Sequence, residues 1–313
     1  MTDGEPWGTH PGLPNLYPSL TMLVDTHHHF WNLEREAQPW MTDEHAVIKR
    51  TFEPADLAPL LERVGVERTV LVQSSCSDLD TDSMLEQAAQ HAWIGGVIAW
   101  LDLRSPDRAA RRLEQLRVEP RLRGFRHLIH NEPDPHWILQ ATVRTSLASL
   151  EETGMILELP CVFPRHLGDV PELAGSHPGL TIVIDHLAKP PLGRDEMGTW
   201  AAELHAAASH PNVFAKISGL NTMLTHADWG ADDLCDAVTV AVEAFGSERL
   251  VCGSDWPVAL LNGDYEKVWR ETIRVVRDVA PDSADGLLAG NALRLYRLDA
   301  TTVTGEGDAS WQH

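Results

Sequence analysis

Eight short runs of β-branched or apolar residues constrain the fold of this chain more than any other feature of its sequence. The stretches between them carry helix signals, such as Pro54-Ala55-Asp56, Thr81-Asp82-Ser83 and Ala231-Asp232-Asp233. Eight strand–helix cycles predict an α/β fold, a single (β/α)8 (TIM) barrel, whereas a doubly wound sheet usually has about five to seven strands and a Gly-rich first turn. The predicted strands are Met22–Asp25, Thr69–Gln73, Gly96–Leu101, Gly124–Leu128, Met155–Leu159, Thr181–Asp185, Val213–Ile217 and Leu250–Gly253.

The barrel is predicted to span residues 21–298 as one domain, because 313 residues with 43% hydrophobic content can bury one large core. The two ends of the chain, residues 1–20 and 299–313, are rich in Gly, Pro, Ser, Thr and acidic side chains. We therefore expect a loosely ordered N-terminal arm and a flexible C-terminal tail.

The net charge limits the partners of the protein. A formal charge of −21 repels nucleic acid phosphates and anionic lipid head groups, and the sequence has neither a signal-peptide pattern nor a stretch of about 18 apolar residues. Cys76, Cys161, Cys235 and Cys252 show no CxxC spacing, which is typical of reduced thiols. We expect a cytoplasmic protein that acts on a small molecule without binding nucleic acid or membrane, and a homo-oligomer is left open.

The predicted chemistry lies at the C-terminal ends of the strands, as in other barrels of this type. His27 and His29 follow the first run two residues apart, so both imidazoles can face one side of an extended strand while His28 faces elsewhere. Such a pair is a weak signal among 16 histidines. It gains weight from His186 and Asp255, which end two further strands, although a core histidine and a helix N-cap are the alternative interpretations of these two residues.

Three imidazoles and one carboxylate suit a borderline metal such as zinc, with a water molecule in an open coordination position. The sequence therefore predicts one divalent ion, with Zn²⁺ favoured. Its predicted ligands are His27, His29, His186 and Asp255.

Five sequence segments resemble those of the amidohydrolase superfamily and, within it, the amidohydrolase-2 branch of L-fuconolactonase-like and L-rhamnonolactonase-like sugar-acid lactonases. The resemblance extends over about Leu23 to Leu298 and implies a metal-dependent hydrolase that opens an aldonolactone by attack of an activated water on the ester carbonyl. Glu158 and Lys216 do not match a bridging carboxylate or a carbamylated lysine, so a centre with one metal ion is predicted. The segments are Val24-Asp25-Thr26-His27-His28-His29-Phe30-Trp31, Arg123-Gly124-Phe125-Arg126-His127, Ile184-Asp185-His186-Leu187-Ala188-Lys189-Pro190, Lys216-Ile217-Ser218-Gly219-Leu220 and Gly253-Ser254-Asp255-Trp256-Pro257-Val258.

Lactone hydrolysis needs an acceptor for the proton of the water and a donor for the leaving ring oxygen, and Asp255 is predicted to serve as both. Arg126 and His127 end a separate strand and are predicted to hold the oxyanion or a substrate hydroxyl, with a strand-end salt bridge as the alternative for Arg126. The predicted catalytic residues are Asp255, His186, His127 and Arg126. The predicted substrate-binding residues are Trp31, Trp40, Arg126, Lys189 and Trp256, with core packing as the alternative for each tryptophan.

Two other functions stay open on the sequence alone. One is a metal-dependent decarboxylase of an aromatic or unsaturated acid on the same barrel, which would release carbon dioxide where a lactonase releases a proton. The other is a catalytically inactive sugar-binding barrel, against which the intact set of metal-ligand candidates argues. The insertion from Phe30 to Phe52 is longer than an ordinary βα loop and is predicted to form a lid or a pocket wall.

Overall fold

The computed structural model describes residues 22–299 as eight parallel strands in the order β1 to β8, which confirms the predicted (β/α)8 barrel. All eight predicted strands form, and their bounds differ from the prediction by at most three residues at either end. The predicted arm 1–20 and all but the first residue of the predicted tail 299–313 lie outside the described residues. The strands are β1 Leu23–His28, β2 Val66–Val72, β3 Ile94–Trp100, β4 Leu122–Arg126, β5 Ile156–Leu159, β6 Thr181–Ile184, β7 Val213–Ile217 and β8 Leu250–Cys252.

Helices follow the strands around the outside of the barrel. Pro54 opens α1 at its first turn and Gly65 ends it in the left-handed conformation, as the sequence signals suggest. The second helix begins at Asp78, three residues before the predicted start, because the Ser77 side chain accepts a hydrogen bond from the backbone N–H of Asp80. The helices are α1 Pro54–Val64, α2 Asp78–Gln90, α3 Pro106–Leu116, α4 Ala141–Glu151, α5 Val170–Ser176, α6 Met197–Ala208, α7 Ala231–Phe245, α8 Tyr265–Val279 and α9 Asn291–Leu295.

The barrel closes where the ends of β1 and β8 meet. The backbone N–H of Asp255 donates to the carbonyl of His27 at 2.7 Å, and the N–H of His29 donates to the carbonyl of Trp256 at 2.7 Å. The Thr26 hydroxyl adds a bond of 2.8 Å to the carbonyl of Cys252. These bonds extend β1 to His28, beyond the predicted end at Asp25, and they bring the His27–His29 segment beside Asp255.

The inside of the barrel holds its own apolar core, separate from the layer between strands and helices. The last described residues contribute to this core. Helix α9 and the π-helical turn Gly286–Gly290 before it cover the N-terminal ends of the strands. The active end of the barrel is therefore the opposite, C-terminal one. The buried residues of the inner core are Val24, Val70, Val72, Ile98, Ile156, Val183, Val251, Ala289, Ala292, Tyr296 and Leu298.

Within residues 22–299, no helix has the length and apolar character needed to cross a membrane. All four cysteines are free, as expected from their spacing.

Gly253 allows the close approach of β8 to β1, because a Cβ atom at this position would lie 2.8 Å from the backbone nitrogen of His27 and 2.9 Å from its Cβ. We expect Gly253→Ala to lower the free energy of unfolding by about 1–3 kcal/mol, the usual cost of overpacking. Urea denaturation measures this change.

The matched control is Gly198→Ala in α6, where a Cβ would meet nothing within 4 Å. Alanine in a helix is favoured over glycine, so this control is expected to stabilise the protein by roughly 0.5–1 kcal/mol. Equal effects of the two substitutions would show that the β1–β8 approach is not tight.

Candidate active site

A cavity of about 410 Å³ opens at the C-terminal ends of the strands. Residues at strand ends form its floor, and the insertion between β1 and α1 supplies Trp31, Trp40 and His45. The insertion is thus a pocket wall, one of the two roles predicted for it. The lining residues are His29, Trp31, Trp40, His45, Ser74, Arg126, Leu128, His130, Asn131, Pro160, His186, Lys189, Thr222, Met223, Asp255, Val258 and Leu261.

The structure brings the four predicted metal ligands together, and we call this group the donor cluster: His27, His29, His186 and Asp255. The Nε2 atoms of His27 and His29 lie 3.2 Å apart. Asp255 Oδ1 lies 3.4 Å from Nε2 of His29 and 3.7 Å from Nε2 of His27, and its Oδ2 lies 3.9 Å from Nε2 of His186. All four residues are buried.

Hydrogen bonds behind the rings orient the imidazoles. Nδ1 of His29 donates to the carbonyl of Val72 at 2.7 Å, so in the neutral ring its Nε2 carries a lone pair toward Asp255. Nδ1 of His186 shares a hydrogen bond of 2.9 Å with the Ser218 hydroxyl. His28 faces away from the cluster, as predicted, and its Nε2 bonds to the Thr69 hydroxyl at 2.8 Å.

All four side chains of the donor cluster have lowered pKa values. Burial lowers the pKa values of His27, His29 and His186, and the Lys216 charge lowers that of His27 further. Burial alone would raise the pKa of Asp255, but the neighbouring imidazoles of His186, His29 and His27 hold it below its usual range. The cluster therefore combines neutral imidazoles with an ionised carboxylate near neutral pH.

This donor set fits a divalent cation. Three acceptor atoms, Nε2 of His27, Nε2 of His29 and Oδ1 of Asp255, converge within 3.7 Å of one another. Neutral imidazole and carboxylate at this spacing are ligands that zinc prefers. Asp185 extends the set, since its carboxylate, His27 and His186 form a second group whose ligand atoms lie within 4.8 Å of one another.

Asp255 is held in a left-handed backbone conformation with φ of 59°, which a non-glycine residue adopts at a cost. The neighbouring Ser254 is fixed by Asp25, whose carboxylate accepts from the Ser254 N–H at 2.9 Å, the Ser254 hydroxyl at 2.6 Å and the Tyr265 hydroxyl at 3.0 Å. The Asp255 side chain makes no helix-capping bond to the short helix Val258–Asn262. The N-cap alternative for Asp255 is therefore wrong, because the carboxylate faces the imidazoles.

His186 begins a turn in which four consecutive non-glycine residues, His186 to Lys189, have φ values between 49° and 59°. The left-handed conformation costs about 1–2 kcal/mol per residue, so it persists only where the surroundings impose it. Trp200 Nε1 donates to the Leu187 carbonyl at 2.8 Å, and the Phe163 N–H donates to the Ala188 carbonyl at 2.9 Å. The turn places both His186 and Lys189 on the pocket.

Arg126 lines the pocket but is bound mainly to the protein. Its Nε donates to Oε1 of Gln73 at 3.0 Å, and one terminal nitrogen donates to Asp185 Oδ2 at 3.0 Å and faces Nε2 of His27 at 3.2 Å. The second terminal nitrogen bonds to the Gln73 carbonyl. Arg126 therefore forms a buried salt bridge and also lines the pocket.

His127 does not line the pocket, and its catalytic role stays a prediction. Its ring stacks on Trp137 with a centroid distance of 4.3 Å, its Nδ1 accepts from Trp100 Nε1 at 3.1 Å, and its Nε2 bonds to Glu132 at 2.8 Å. The side chain points outward because residues alternate faces along β4, and Arg126 takes the inward face. His127 therefore braces the loop that follows β4.

The three predicted substrate-binding tryptophans separate into two groups. Trp31 and Trp40 line the pocket with their rings 5.9 Å apart. Trp256 is 2% exposed and packs edge-on against Phe30 and Phe52 in the core, which favours the core-packing alternative for this residue.

Several residues of the site were not predicted from sequence. Asp185 precedes His186 and lies beside His27, with Nδ1 of His27 at 3.4 Å from its Oδ1. Its position at the end of a buried strand is the sequence feature that could have identified it. His45, His130 and Asn131 reach the pocket from loops, where no periodicity or motif marks them.

Comparison with known proteins agrees with this geometry. The sequence matches the amidohydrolase family Amidohydro_2 over residues 24–298. It is 35% identical over 286 residues to an L-fucono-1,5-lactonase of Burkholderia ambifaria, covering 90% of this chain and 97% of that protein. It is 33% identical over 296 residues to an L-fucono-1,5-lactonase of Burkholderia multivorans, covering 88% of this chain and 96% of that protein.

A crystal structure of an amidohydrolase from Burkholderia multivorans with bound zinc has a similar fold, with a TM-score of 0.81 and 32% sequence identity over 89% of this chain and all of that one. The family match covers most of the chain, and the lactonase relatives exceed 30% identity over nearly their whole length. By its sequence and its barrel, this chain belongs to the amidohydrolase family.

Proposed function

We propose that this protein is a metal-dependent lactonase that hydrolyses a sugar-acid lactone. The observation that carries the proposal is the buried Asp255 carboxylate, whose oxygens lie 3.4–3.9 Å from the Nε2 atoms of three histidines at the floor of the pocket. The L-fucono-1,5-lactonases that share about a third of its residues support a sugar lactone as the substrate.

The donor cluster would hold one divalent ion, and Zn²⁺ is our choice because a related structure contains it. When bound, such an ion would polarise the lactone carbonyl and lower the pKa of water toward neutrality. Other residues around the cluster would position the substrate and stabilise the negative charge that develops on it.

Asp255 is the proposed proton carrier. The water oxygen forms a bond to the carbonyl carbon, and Asp255 takes the proton that the water loses. When the bond between the carbonyl carbon and the ring oxygen breaks, Asp255 returns this proton to the leaving alkoxide. The product is a hydroxy acid, which releases a proton to solvent at neutral pH.

Two cations face the pocket where negative charge would develop. Arg126 is held rigidly by Gln73 and Asp185. The Lys189 ammonium lines the pocket and has no hydrogen bond or ion pair to the residues that the structure describes, so it is proposed to contact substrate. Both are proposed to stabilise the oxyanion or bind hydroxyl groups, while Trp31 and Trp40 offer ring faces to a sugar.

An indicator assay over a set of aldonolactones, with metal-replete and chelated enzyme, tests the proposal. Release of acid without gas supports a lactonase. Release of carbon dioxide from an aromatic or unsaturated acid would favour the decarboxylase alternative, and binding of sugars without turnover would favour an inactive barrel. A cytoplasmic location and a homo-oligomer remain predictions.

Metal content is the first prediction from this site. We expect purified protein to hold close to one divalent ion per chain, because the donor cluster offers four ligands to one ion. Chelation should then abolish turnover. Elemental analysis with activity measured before and after chelation checks this. Two tightly held ions would contradict a mononuclear centre, and full activity without metal would contradict the metal mechanism.

The second prediction concerns the proton carrier. Asp255→Asn preserves shape but cannot carry a proton, so turnover should fall by about a factor of 100 to 10,000 with the fold retained. The matched control is Asp102→Asn, which removes a half-buried carboxylate near the end of β3 that does not line the pocket. Steady-state kinetics and circular dichroism of both variants decide the assignment, which near-normal turnover of Asp255→Asn would overturn.

The third prediction separates two adjacent residues. Arg126→Ala should lower kcat/KM roughly a hundredfold, as the loss of one oxyanion donor does. His127→Ala leaves Trp100 Nε1 without its partner and Glu132 with Arg104 alone, so it should lower stability by about 1–3 kcal/mol while turnover of the folded enzyme changes little. Thermal unfolding and kinetics measure the two effects, and the reverse pattern would restore His127 as a catalytic residue.

A further inference from the structure

The insertion between β1 and α1 forms one wall of the pocket, and it is attached to the barrel unevenly. At its base, Trp31 and Phe52 exchange two backbone hydrogen bonds of 2.9 and 3.1 Å. Beyond the base, Met41 and Ile48 are buried in the core. Among the described residues, positions 33–49 make two hydrogen bonds to elements outside the insertion, and both end on the segment that follows β2. The polar attachment of the insertion therefore depends on this segment.

Two serines after β2, Ser74 and Ser75, receive these bonds, and we call them the serine pair. The Ser75 hydroxyl donates to Oε1 of Glu36 at 2.7 Å, and the Gln38 side-chain amide donates to the Ser74 hydroxyl at 3.5 Å. Oε1 of Gln38 accepts from the Trp40 indole N–H at 2.9 Å. Trp40 lines the pocket, whereas Gln38 is buried and does not line it. The serine pair is thus connected to the pocket wall through one buried amide.

Asp80 holds the serine pair from the first turn of α2. Its Oδ2 accepts from the backbone N–H groups of Ser74 at 2.9 Å and Ser75 at 3.2 Å, and its Oδ1 accepts from the Ser74 hydroxyl at 2.8 Å. Burial raises the pKa of Asp80 to about 6, although these hydrogen bonds lower it. Above that pH the carboxylate is ionised, so its bonds are charge-assisted and stronger than bonds between neutral groups.

We propose that Asp80 is the positioning residue of the pocket wall. It fixes the serine pair, the serine pair holds Glu36 and Gln38, and Gln38 holds the Trp40 indole. This role rests on the proposed function in one respect, since Trp40 is taken to contact substrate. A role confined to α2 is the alternative, because an acidic residue in the first turn of a helix also interacts favourably with the helix dipole. However, the carboxylate bonds to residues before the helix, and Ser77 is the residue that caps it.

Asp80→Ala tests the proposal by hydrogen–deuterium exchange of the full chain, followed by mass spectrometry of its peptides. Loss of three hydrogen bonds to a charged group should let the insertion open locally. We expect amide exchange in residues 33–49 to become about tenfold faster or more, while exchange in β1 and β8 stays at the wild-type rate. A purely structural role would instead accelerate exchange throughout the barrel.

Two variants of α2 serve as controls. Asp78→Ala removes the other acidic side chain of the first turn, which pairs with Arg108 and Arg112 and makes no hydrogen bond to the serine pair among the described residues. Its exchange in residues 33–49 should equal that of the wild type. Asp80→Asn keeps an oxygen that can accept from the two backbone N–H groups, so it should restore most of the protection that Asp80→Ala loses.

A double variant, Glu36→Ala with Gln38→Ala, cuts the same connection from the insertion side and leaves the bonds of Asp80 intact. It should accelerate exchange in residues 33–49 without affecting α2, and it decides the question if Asp80→Ala does not fold. Wild-type exchange of residues 33–49 in the double variant or in Asp80→Ala would overturn the proposal. So would an equal acceleration in Asp78→Ala, exchange in Asp80→Asn as fast as in Asp80→Ala, or acceleration in Asp80→Ala that extends to β1 and β8.

Kinetics add a readout that separates the wall from the reacting groups. In the proposed lactonase, Asp80→Ala should raise KM several-fold with kcat unchanged, because the wall contacts substrate and not the reacting atoms. A fall in kcat with unchanged KM would contradict a role in the wall. The exchange measurement needs no substrate. Absence of lactonase activity in the wild type would contradict the proposed function, while faster exchange confined to residues 33–49 in Asp80→Ala would still establish the role of Asp80.

Discussion

The junction of β1 with β8 is the constraint on which the candidate site depends. Asp25 lies at its centre and binds the Ser254 backbone, the Ser254 hydroxyl, the Tyr265 hydroxyl and, at 3.1 Å, the His27 N–H. One buried carboxylate thus fixes the strand that carries two imidazoles and the loop that carries Asp255. Asp25 is fully buried, and burial raises its pKa despite these four bonds. The contacts that close the barrel therefore also place His27 and His29 beside Asp255.

Buried charges beneath the cluster are arranged in alternation. Asp185 lies between Arg126 and Lys216, and Lys216 lies between Asp185 and Glu158. Because burial of a charge is costly without a partner, each of these groups depends on its neighbours. Burial raises the pKa of Glu158 to about 7 even beside Lys216. Asp255 pairs only with histidines among the described residues, so a cation bound at the donor cluster would offset its charge.

The fold was predictable because periodicity and strand count determine it, and all eight strands were located from their apolar runs. The donor cluster was predictable for a related reason: in a parallel barrel every strand ends at the same rim, so polar residues such as His186 and Asp255 after separate runs must meet. The direction of a side chain at a strand end was not predictable. His127 and Trp256 were placed in the pocket because they follow strands, but the pleat and the β1–β8 junction turn them into the core. Loop residues such as His130 carry no periodic signal at all.

Backbone strain at the site indicates that it is assembled before substrate arrives. Asp255 and the turn from His186 to Lys189 hold left-handed conformations, and the bonds that hold them come from His27, Trp200 and Phe163, which do not line the pocket. Substrate binding energy is then not needed to form the donor cluster and can be used for orientation. Residues at the strand ends form the floor of the pocket, whereas its walls come from loops that include Trp40, Met223 and Leu261. For the proposed lactonase, selectivity would depend on the loops, and a change of wall residues would alter the preferred substrate without disturbing the donor cluster.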